Sequence, residues 1–307
     1  MVSRRSIIWM LVAILIMSSC RSFASSSPTP DAASDENLPA ETSTPAPAYV
    51  NAMHNAEYQL GFVDALRIVQ LEDGVFEQGV QGSDDFVSVR MTNFTAKGDL
   101  NNDGVDEFAA LITENYGGDG TFVFLAVFSD VDGGLMSQAS VYVDGRPLVD
   151  ELLIADGEIY LDVTTHKRDD PTCCPTLHST RHYQLINNQL DMVDYVTFTP
   201  DGRPRTITIE SPENGSDVFK SVPIKGSVAI APFENNLVYR IFDVGGVELA
   251  IGSLTVNAPD LGGPGTFDEN ILLGNVLAGA VIRVEVQDVS AEDGSLFAMD
   301  SVELVVQ

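Results

Sequence analysis

Oxygen-bearing side chains recur at alternate positions in one short polar segment. Asp99, Asn101 and Asp103 each carry a side-chain oxygen, and Gly104 follows where the backbone must reverse. A hard cation such as calcium takes about six to eight oxygen ligands, and this spacing lets one loop supply several of them. The pattern therefore predicts a calcium site. The predicted ligands are Asp99, Asn101, Asp103, Val105 through its carbonyl, Asp106 and Glu107.

The residues after this segment distinguish between kinds of calcium loop. An EF-hand needs a bidentate Glu at its twelfth position, where this chain has Ala110. The apolar run 108–112 indicates a strand rather than a helix. The segment resembles the calcium loops of FG-GAP and other extracellular β-repeat proteins, in which the last carboxylate falls at the ninth position, here Glu107. The alternative is a polar hairpin turn formed by Asn102-Asp103-Gly104.

Cysteine and histidine residues form the other group that could do chemistry. Cys173 and Cys174 are adjacent, with His166, His178 and His182 nearby in the sequence. A vicinal disulfide is favoured, because an exported chain meets an oxidising environment. A soft-metal site with the histidines, or two reduced cysteines packed in a loop, are the alternatives. A reduced cysteine could also be the nucleophile of a hydrolase.

The start of the chain has the organisation of a bacterial lipoprotein signal peptide. Arg4 and Arg5 precede the apolar run 7–17, and Ser18-Ser19-Cys20 follows. The run is shorter than the roughly 20 residues that a membrane-spanning helix needs. We expect cleavage after residue 19 and lipidation of Cys20. This predicts an exported protein that is lipid-anchored to the outer face of the bacterial cell membrane.

Composition describes the next segment and the chain as a whole. Residues 20–50 are rich in Ser, Pro, Thr and Ala, a composition that predicts a disordered tether. The net charge is −29, and removing a leader that holds Arg4 and Arg5 but no acid would make it more negative. Such a charge argues against nucleic acid as a partner and suits cations.

Residues 51–200 are predicted to form a β-rich domain. Asp-Gly and Asn-Asn pairs separate segments of β-type residues, and a short helix is expected at 51–59. The pattern indicates a meandering antiparallel sheet. The predicted strands are 66–71, 76–80, 87–91, 108–113, 122–128, 139–143, 151–154, 159–163, 182–186 and 190–198. The Asp170-x-x-Cys-Cys-Pro pattern, together with the calcium-type loop, resembles uncharacterised secreted β domains of bacteria.

A second domain is predicted at 205–307, after a boundary at Pro200-Asp201-Gly202-Arg203-Pro204. Its size and strand spacing are typical of a seven-stranded immunoglobulin-like β-sandwich. We expect Phe233 and Phe267 in its core. The predicted strands are 206–210, 222–228, 237–243, 247–254, 266–272, 281–288 and 298–306.

This second domain resembles the immunoglobulin-like domain that accompanies GerMN modules in bacterial spore germination proteins. The resemblance rests on Ile209-Glu210-Ser211-Pro212, Val222-Pro223-Ile224-Lys225-Gly226-Ser227 and Gly265-Thr266-Phe267. It implies a binding or scaffold module of the envelope, with an envelope protein or polysaccharide as ligand. The sequence has neither Gly-x-Ser-x-Gly nor His-Glu-x-x-His, so we expect no enzyme activity. The alternative is an envelope hydrolase or soft-metal protein that uses the cysteines and histidines.

Overall fold

The computed structural model describes residues 47–61, 67–118, 120–132 and 134–307. Ala46–Gln307 form one compact unit. The predicted signal peptide 1–19, the predicted lipidation residue Cys20 and the predicted tether as far as residue 46 lie outside the described residues. In the described part of the chain, no helix is long and apolar enough to cross a membrane.

Short strands connected by turns make up the first part of this unit. Helix α1 spans Ala48–Met53. The strands are β1 (Glu57–Leu60), β2 (Arg67–Gln70), β3 (Val75–Gln78), β4 (Val87–Gly98), β5 (Glu107–Asn115), β6 (Thr121–Val131), β7 (Gly134–Gly145), β8 (Leu148–Ala155), β9 (Glu158–Thr165), β10 (Leu177–Ile186) and β11 (Gln189–Phe198).

The predicted helix at 51–59 was wrong in its second half. Helix α1 begins earlier, within the last residues of the predicted tether, and a turn at His54 and Asn55 ends it. The following residues form β1, which pairs with β2. Tyr58 and Leu60 are buried while their neighbours are exposed, and this alternation is the period of a strand rather than of a helix.

A five-stranded antiparallel sheet, in the order β3-β4-β5-β6-β7, forms the middle layer. Strand β5 is apolar on both faces because each face contacts a separate core. Ala110 and Ile112 pack with side chains of α1, β1 and β2. Ala109 and Leu111 pack with side chains of β8, β9 and β10. The first domain therefore has three layers, with β5 and β6 at its centre.

The second part of the unit is an immunoglobulin-like sandwich, as predicted. One sheet has the order β13-β15-β18, and the facing strands have the order β17-β16-β19-β20. A single core of apolar side chains fills the space between them. The strands are β12 (Pro204–Arg205), β13 (Ile207–Ser211), β14 (Ser216–Val218), β15 (Ser221–Val228), β16 (Asn236–Asp243), β17 (Glu248–Thr255), β18 (Gly265–Leu272), β19 (Val281–Val289) and β20 (Leu296–Val306).

The two aromatic residues predicted for this core have different surroundings. Phe267 is 2% exposed and lies over Gly226, where a Cβ atom would overlap the ring and the Thr208 carbonyl. The prediction for Phe233 was wrong, because its side chain is 72% exposed. Phe233 begins a short 3-10 turn directly after Pro232, outside the strands that contribute to the core.

Strand β20 of the sandwich pairs with β11 of the first domain. Tyr195 faces Met299, and Val196 faces Ala298, in an antiparallel register. The strands β17-β16-β19-β20-β11-β10-β9-β8 consequently form one continuous sheet. The Arg283 guanidinium lies 2.6 Å from the Asp191 carboxylate beside this junction. Because main-chain hydrogen bonds join the domains, the sequence boundary at 200–204 is not a flexible linker.

Candidate functional site

The predicted calcium loop, residues 99–106, connects β4 to β5 as the end of a hairpin. The Asp99 carboxylate accepts hydrogen bonds from the backbone N–H groups of Asp103, at 3.2 Å, and Gly104, at 2.8 Å. The Asn101 side-chain oxygen also accepts from Asp103, at 2.9 Å. The Asp103 carboxylate accepts from Val105, at 2.7 Å. These bonds hold the three oxygen-bearing side chains against the backbone of the loop.

Glu107 is the first residue of β5 and follows the loop directly. Its side chain is buried, and its carboxylate accepts the Leu100 backbone N–H at 2.8 Å. Burial raises the pKa of Glu107, and the negative charges of Asp103 and Asp99 raise it further. The loop thus places the charges of Asp99 and Asp103 close enough to Glu107 to raise its pKa. An oxygen-only donor set of this kind fits calcium.

Two other predicted ligands, Asp106 and Val105, have different surroundings. The Asp106 carboxylate forms an ion pair with Lys97, at 2.7 Å between Oδ2 and Nζ. The Val105 side chain is exposed to solvent, which leaves the prediction for its carbonyl unchanged. The calcium site stays a prediction. Asp99 and Asp103 are the carboxylates whose charges raise the pKa of Glu107.

In the described part of the chain, the group of possible metal ligands that lie close together contains His178 but neither cysteine. Cys173 and Cys174 are joined as a vicinal disulfide. Each histidine pairs with a carboxylate: His166 Nδ1 lies 2.8 Å from Asp144, His178 Nε2 lies 2.6 Å from Asp162, and His182 Nδ1 lies 3.2 Å from Glu158. This arrangement does not favour a shared soft-metal site or a cysteine nucleophile.

His178 is part of a small cluster with Asp150 and Asp162 on strands β8 and β9. One ligand atom from each residue lies within 4.8 Å of the other two. The His178 ring stacks on Phe198 with the ring centroids 4.7 Å apart. The three side chains are partly or fully exposed, and the Asp162–His178 hydrogen bond already gives both residues a partner.

The shared sheet creates a second acidic group that the sequence did not indicate. Asp194 of β11 and Asp300 of β20 face each other directly. His182 lies beside them, with Nδ1 at 3.9 Å from Asp194 and 3.2 Å from Glu158. The Asp300 carboxylate accepts the Ile209 backbone N–H at 2.6 Å. We call Glu158, His182, Asp194 and Asp300 the junction cluster.

Three residues of the junction cluster, His182, Asp194 and Asp300, have a shifted pKa because they are partly buried and lie close to other charges. Burial raises the pKa of Asp194 to about 6, and the charges of Asp300 and Glu158 contribute. Burial also raises the pKa of Asp300 to about 6. Burial lowers the pKa of His182, but the hydrogen bond to Glu158 and the charges of Asp194, Glu158 and Asp300 outweigh it and raise the pKa overall. The cluster lines a cleft of about 300 Å³.

The arrangement of the junction cluster suits the uptake of protons near neutral pH. Its members come from four different strands, and no two of them have a motif spacing in the sequence. Neighbouring hairpins bring Glu158, His182 and Asp194 together, since His182 faces Asp194 across β10 and β11. Asp300 joins them only through the pairing of β11 with β20, a contact between residues about a hundred positions apart.

Comparison with known families identifies the second domain. Residues 206–295 match the family described as the immunoglobulin-like domain of bacterial spore germination, Gmad2. This match confirms the resemblance inferred for the second domain, and it indicates a noncatalytic binding or scaffold module. No curated protein matches the chain. The likeness of the first domain to FG-GAP loops stays a prediction.

Proposed function

We propose that this protein is a noncatalytic lipoprotein of the bacterial cell envelope that acts as a binding or scaffold module. The observation that carries the proposal is the continuous sheet through β11 and β20, which joins a three-layer β domain to a Gmad2 domain. A shared sheet fixes the relative orientation of two domains. Fixed orientation is what a scaffold needs if it is to present two surfaces to its partners at once.

The anchor in this proposal is the predicted lipid on Cys20. Two or three acyl chains bind a membrane firmly, whereas one chain binds only marginally. The Ser- and Pro-rich tether would extend at most about 100 Å, which could hold the folded unit away from the membrane. Its ligand would be an envelope protein or polysaccharide.

Calcium is the proposed stabilising ion of the Asp99 loop. The support is that the loop's side-chain ligands are all oxygen atoms. The negative charges of Asp99 and Asp103 also raise the pKa of Glu107, so a cation would relieve their repulsion. An extracellular loop of this kind would bind calcium with a Kd of about 0.1–1 mM. Binding would stabilise the folded chain, because the unfolded loop has no preformed site.

Expression of the full chain in a bacterium that makes lipoproteins, with labelled palmitate in the medium, tests the anchor. We expect labelled protein in the membrane fraction, and mass spectrometry should find a mature chain that begins at a lipid-modified Cys20. Cys20→Ser is the matched variant and should carry no label. An unlabelled wild-type chain, or one that retains residues 1–19, would contradict the proposal.

A further inference from the structure

A groove of about 430 Å³ lies where the turn between β7 and β8 meets the segment that follows β9. Two aromatic rings line it, Phe122 of β6 and Tyr142 of β7, with centroids 6.2 Å apart. The basic side chains of Arg146, Lys167 and Arg168 line it as well. We call it the Arg146 groove. Its volume is in the usual range for small-molecule sites, about 300–1,000 Å³.

The basic residues of this groove differ from most others in the described part of the chain. There, no carboxylate oxygen lies within 4.0 Å of the charged nitrogens of Arg146, Lys167 or Arg168. This is unexpected in a chain with 45 acidic and 16 basic residues. By contrast, ion pairs engage Arg67, Arg90, Lys97, Arg203, Arg205, Lys225, Arg240 and Arg283.

The backbone at Arg146 gives a second reason to expect a role for its side chain. Arg146 has a φ of 57°, in the left-handed region that favours glycine or asparagine. The turn is held by a hydrogen bond from the Arg146 N–H to the Thr121 carbonyl at 3.0 Å. A strained position that carries a long cationic side chain is typical of a functional site.

His166 supplies a third observation. The Asp144 carboxylate accepts both the His166 backbone N–H, at 2.7 Å, and Nδ1–H, at 2.8 Å, so it fixes the ring. The other ring nitrogen, Nε2, is buried and has no hydrogen-bond partner among the described residues. A buried polar atom without a partner destabilises the fold, so in the described part of the chain the ring is held in place by its contacts with Asp144 alone.

The acidic residues that line the groove are already engaged. Asp144 holds His166 as described. Asp170 accepts hydrogen bonds from the backbone N–H groups of Lys167, at 2.9 Å, and Thr176, at 2.8 Å, and from the Thr176 hydroxyl. Hydrogen bonds lower the pKa of Asp170 and of Asp293, which lies outside the groove, and the charges of Lys167 and Arg168, respectively, lower these pKa values further. Neither basic side chain forms an ion pair within 4.0 Å among the described residues, so their donors stay available to an anionic ligand.

We propose that the Arg146 groove binds a small anionic sugar, of one or two sugar units, through its carboxylate or phosphate group. Guanidinium and ammonium groups form strong charge-assisted hydrogen bonds with both kinds of anion. Tyr142 is 37% exposed and packs against Phe122, and its ring offers an apolar surface for the C–H groups of a sugar ring. This site is additional to the proposed function. Failure of the sugar to bind would leave the prediction of a lipid anchor unchanged, and failure of lipidation would leave this site unchanged.

Calorimetric titration of the full chain at low salt tests the proposal. The probes are a glucuronate-containing disaccharide, glucose 1-phosphate, uncharged cellobiose and a tri-glutamate peptide. We expect at least one acidic sugar to bind saturably, at least about tenfold more tightly than cellobiose or the peptide. The two acidic probes show whether the groove prefers a carboxylate or a phosphate.

Matched variants locate the binding. Arg146→Gly removes a charge and relieves the positive φ, so it should fold normally and weaken binding about tenfold. Lys167→Gln should weaken it in the same way. Lys220→Gln removes an equivalent exposed charge in the second domain and should leave the affinity unchanged. Absence of saturable binding by both acidic sugars, equal binding of cellobiose or the peptide, or full affinity in the groove variants would overturn the proposal.

Discussion

The Asp99 loop and the junction cluster are both acidic, yet their surroundings direct them to different chemistry. In the loop, carboxylates lie at a hairpin end and accept hydrogen bonds from nearby backbone N–H groups. In the junction cluster, Asp194 and Asp300 face each other across two paired strands and are largely buried. The loop is open to a cation from solvent, whereas the junction can reduce its charge repulsion by taking up a proton.

This difference shows why acidic residues alone do not identify a cation site. The ordinary pKa of an aspartate carboxyl is 3.8, and burial shifts it to about 6 for both junction residues. A partly protonated pair is a poor calcium ligand. Burial also raises the pKa of Glu107 in the loop, but Asp99, Asn101 and Asp103 lie in the exposed hairpin end. Calcium stays a proposal for the loop, and we expect the junction to respond to pH.

Glu107→Ala should lower the free energy of unfolding by about 2–3 kcal/mol, because it leaves the Leu100 N–H without its acceptor and creates a cavity. Urea denaturation in a chelator measures this effect without calcium. Glu107→Gln is the control: it keeps an acceptor oxygen and should lose less than half as much. An unchanged midpoint for the alanine variant would show that Glu107 does not support the loop.

Calcium at about 10 mM should raise the free energy of unfolding of the wild type by about 1.4–2.7 kcal/mol, if the Kd is about 0.1–1 mM. Asp103→Ala should weaken calcium binding and abolish this gain, while its melting temperature in chelator stays close to that of the wild type. Melting curves with calcium and with chelator measure both effects. Identical wild-type curves in the two conditions would reduce the loop to a turn.

Lowering the pH from 7 to 5 should raise the free energy of unfolding by about 2 kcal/mol, about 1 kcal/mol for each of the two carboxyls. The pKa of Asp194 and Asp300 is higher in the folded chain than in the unfolded chain. Their contribution to stability is therefore complete below about pH 4 and is lost as the pH rises through about 6. The raised pKa of His182 acts in the same direction.

Asp194→Asn isolates the junction in this pH experiment. It removes the charge that opposes Asp300, so its stability should change less between pH 7 and pH 5 than that of the wild type. Urea denaturation at the two pH values measures the difference. Asp162→Asn, in an exposed pair with His178, is a comparison outside the junction cluster. A pH response as large in Asp194→Asn as in the wild type would assign the effect to other residues.

Asp106→Ala should have the smallest effect, below about 0.5 kcal/mol, because it breaks only an exposed ion pair with Lys97. Its calcium affinity should stay within about threefold of the wild-type value, since Asp106 faces Lys97. Calorimetric titration beside Asp103→Ala provides the comparison. A loss of affinity as large as that of Asp103→Ala would place Asp106 among the ligands.

Local sequence patterns predicted the parts of this molecule that depend on neighbouring residues. The alternation of apolar residues and the Asp-Gly turns indicated most strands, and the spacing of Asp99, Asn101 and Asp103 indicated the loop. The helix at 51–59 was wrong because the alternate burial of Tyr58 and Leu60 belongs to a strand that pairs with β2.

Long-range pairing accounts for what the sequence did not reveal. Asp300 joins the junction cluster only because β11 pairs with β20 in one register, and a shift of one residue would place a different side chain opposite Asp194. The Arg146 groove likewise combines the β7–β8 turn with residues that follow β9. Neither combination has a local pattern, since each depends on strands that meet after the chain has folded.

Scanning calorimetry of the full chain tests the central claim that the shared sheet makes the two domains one unit. We expect a single transition with equal calorimetric and van't Hoff enthalpies. Leu304→Ala, which removes a fully buried side chain from β20, should shift that whole transition to lower temperature. Two separate transitions, of which Leu304→Ala moves only one, would contradict the account.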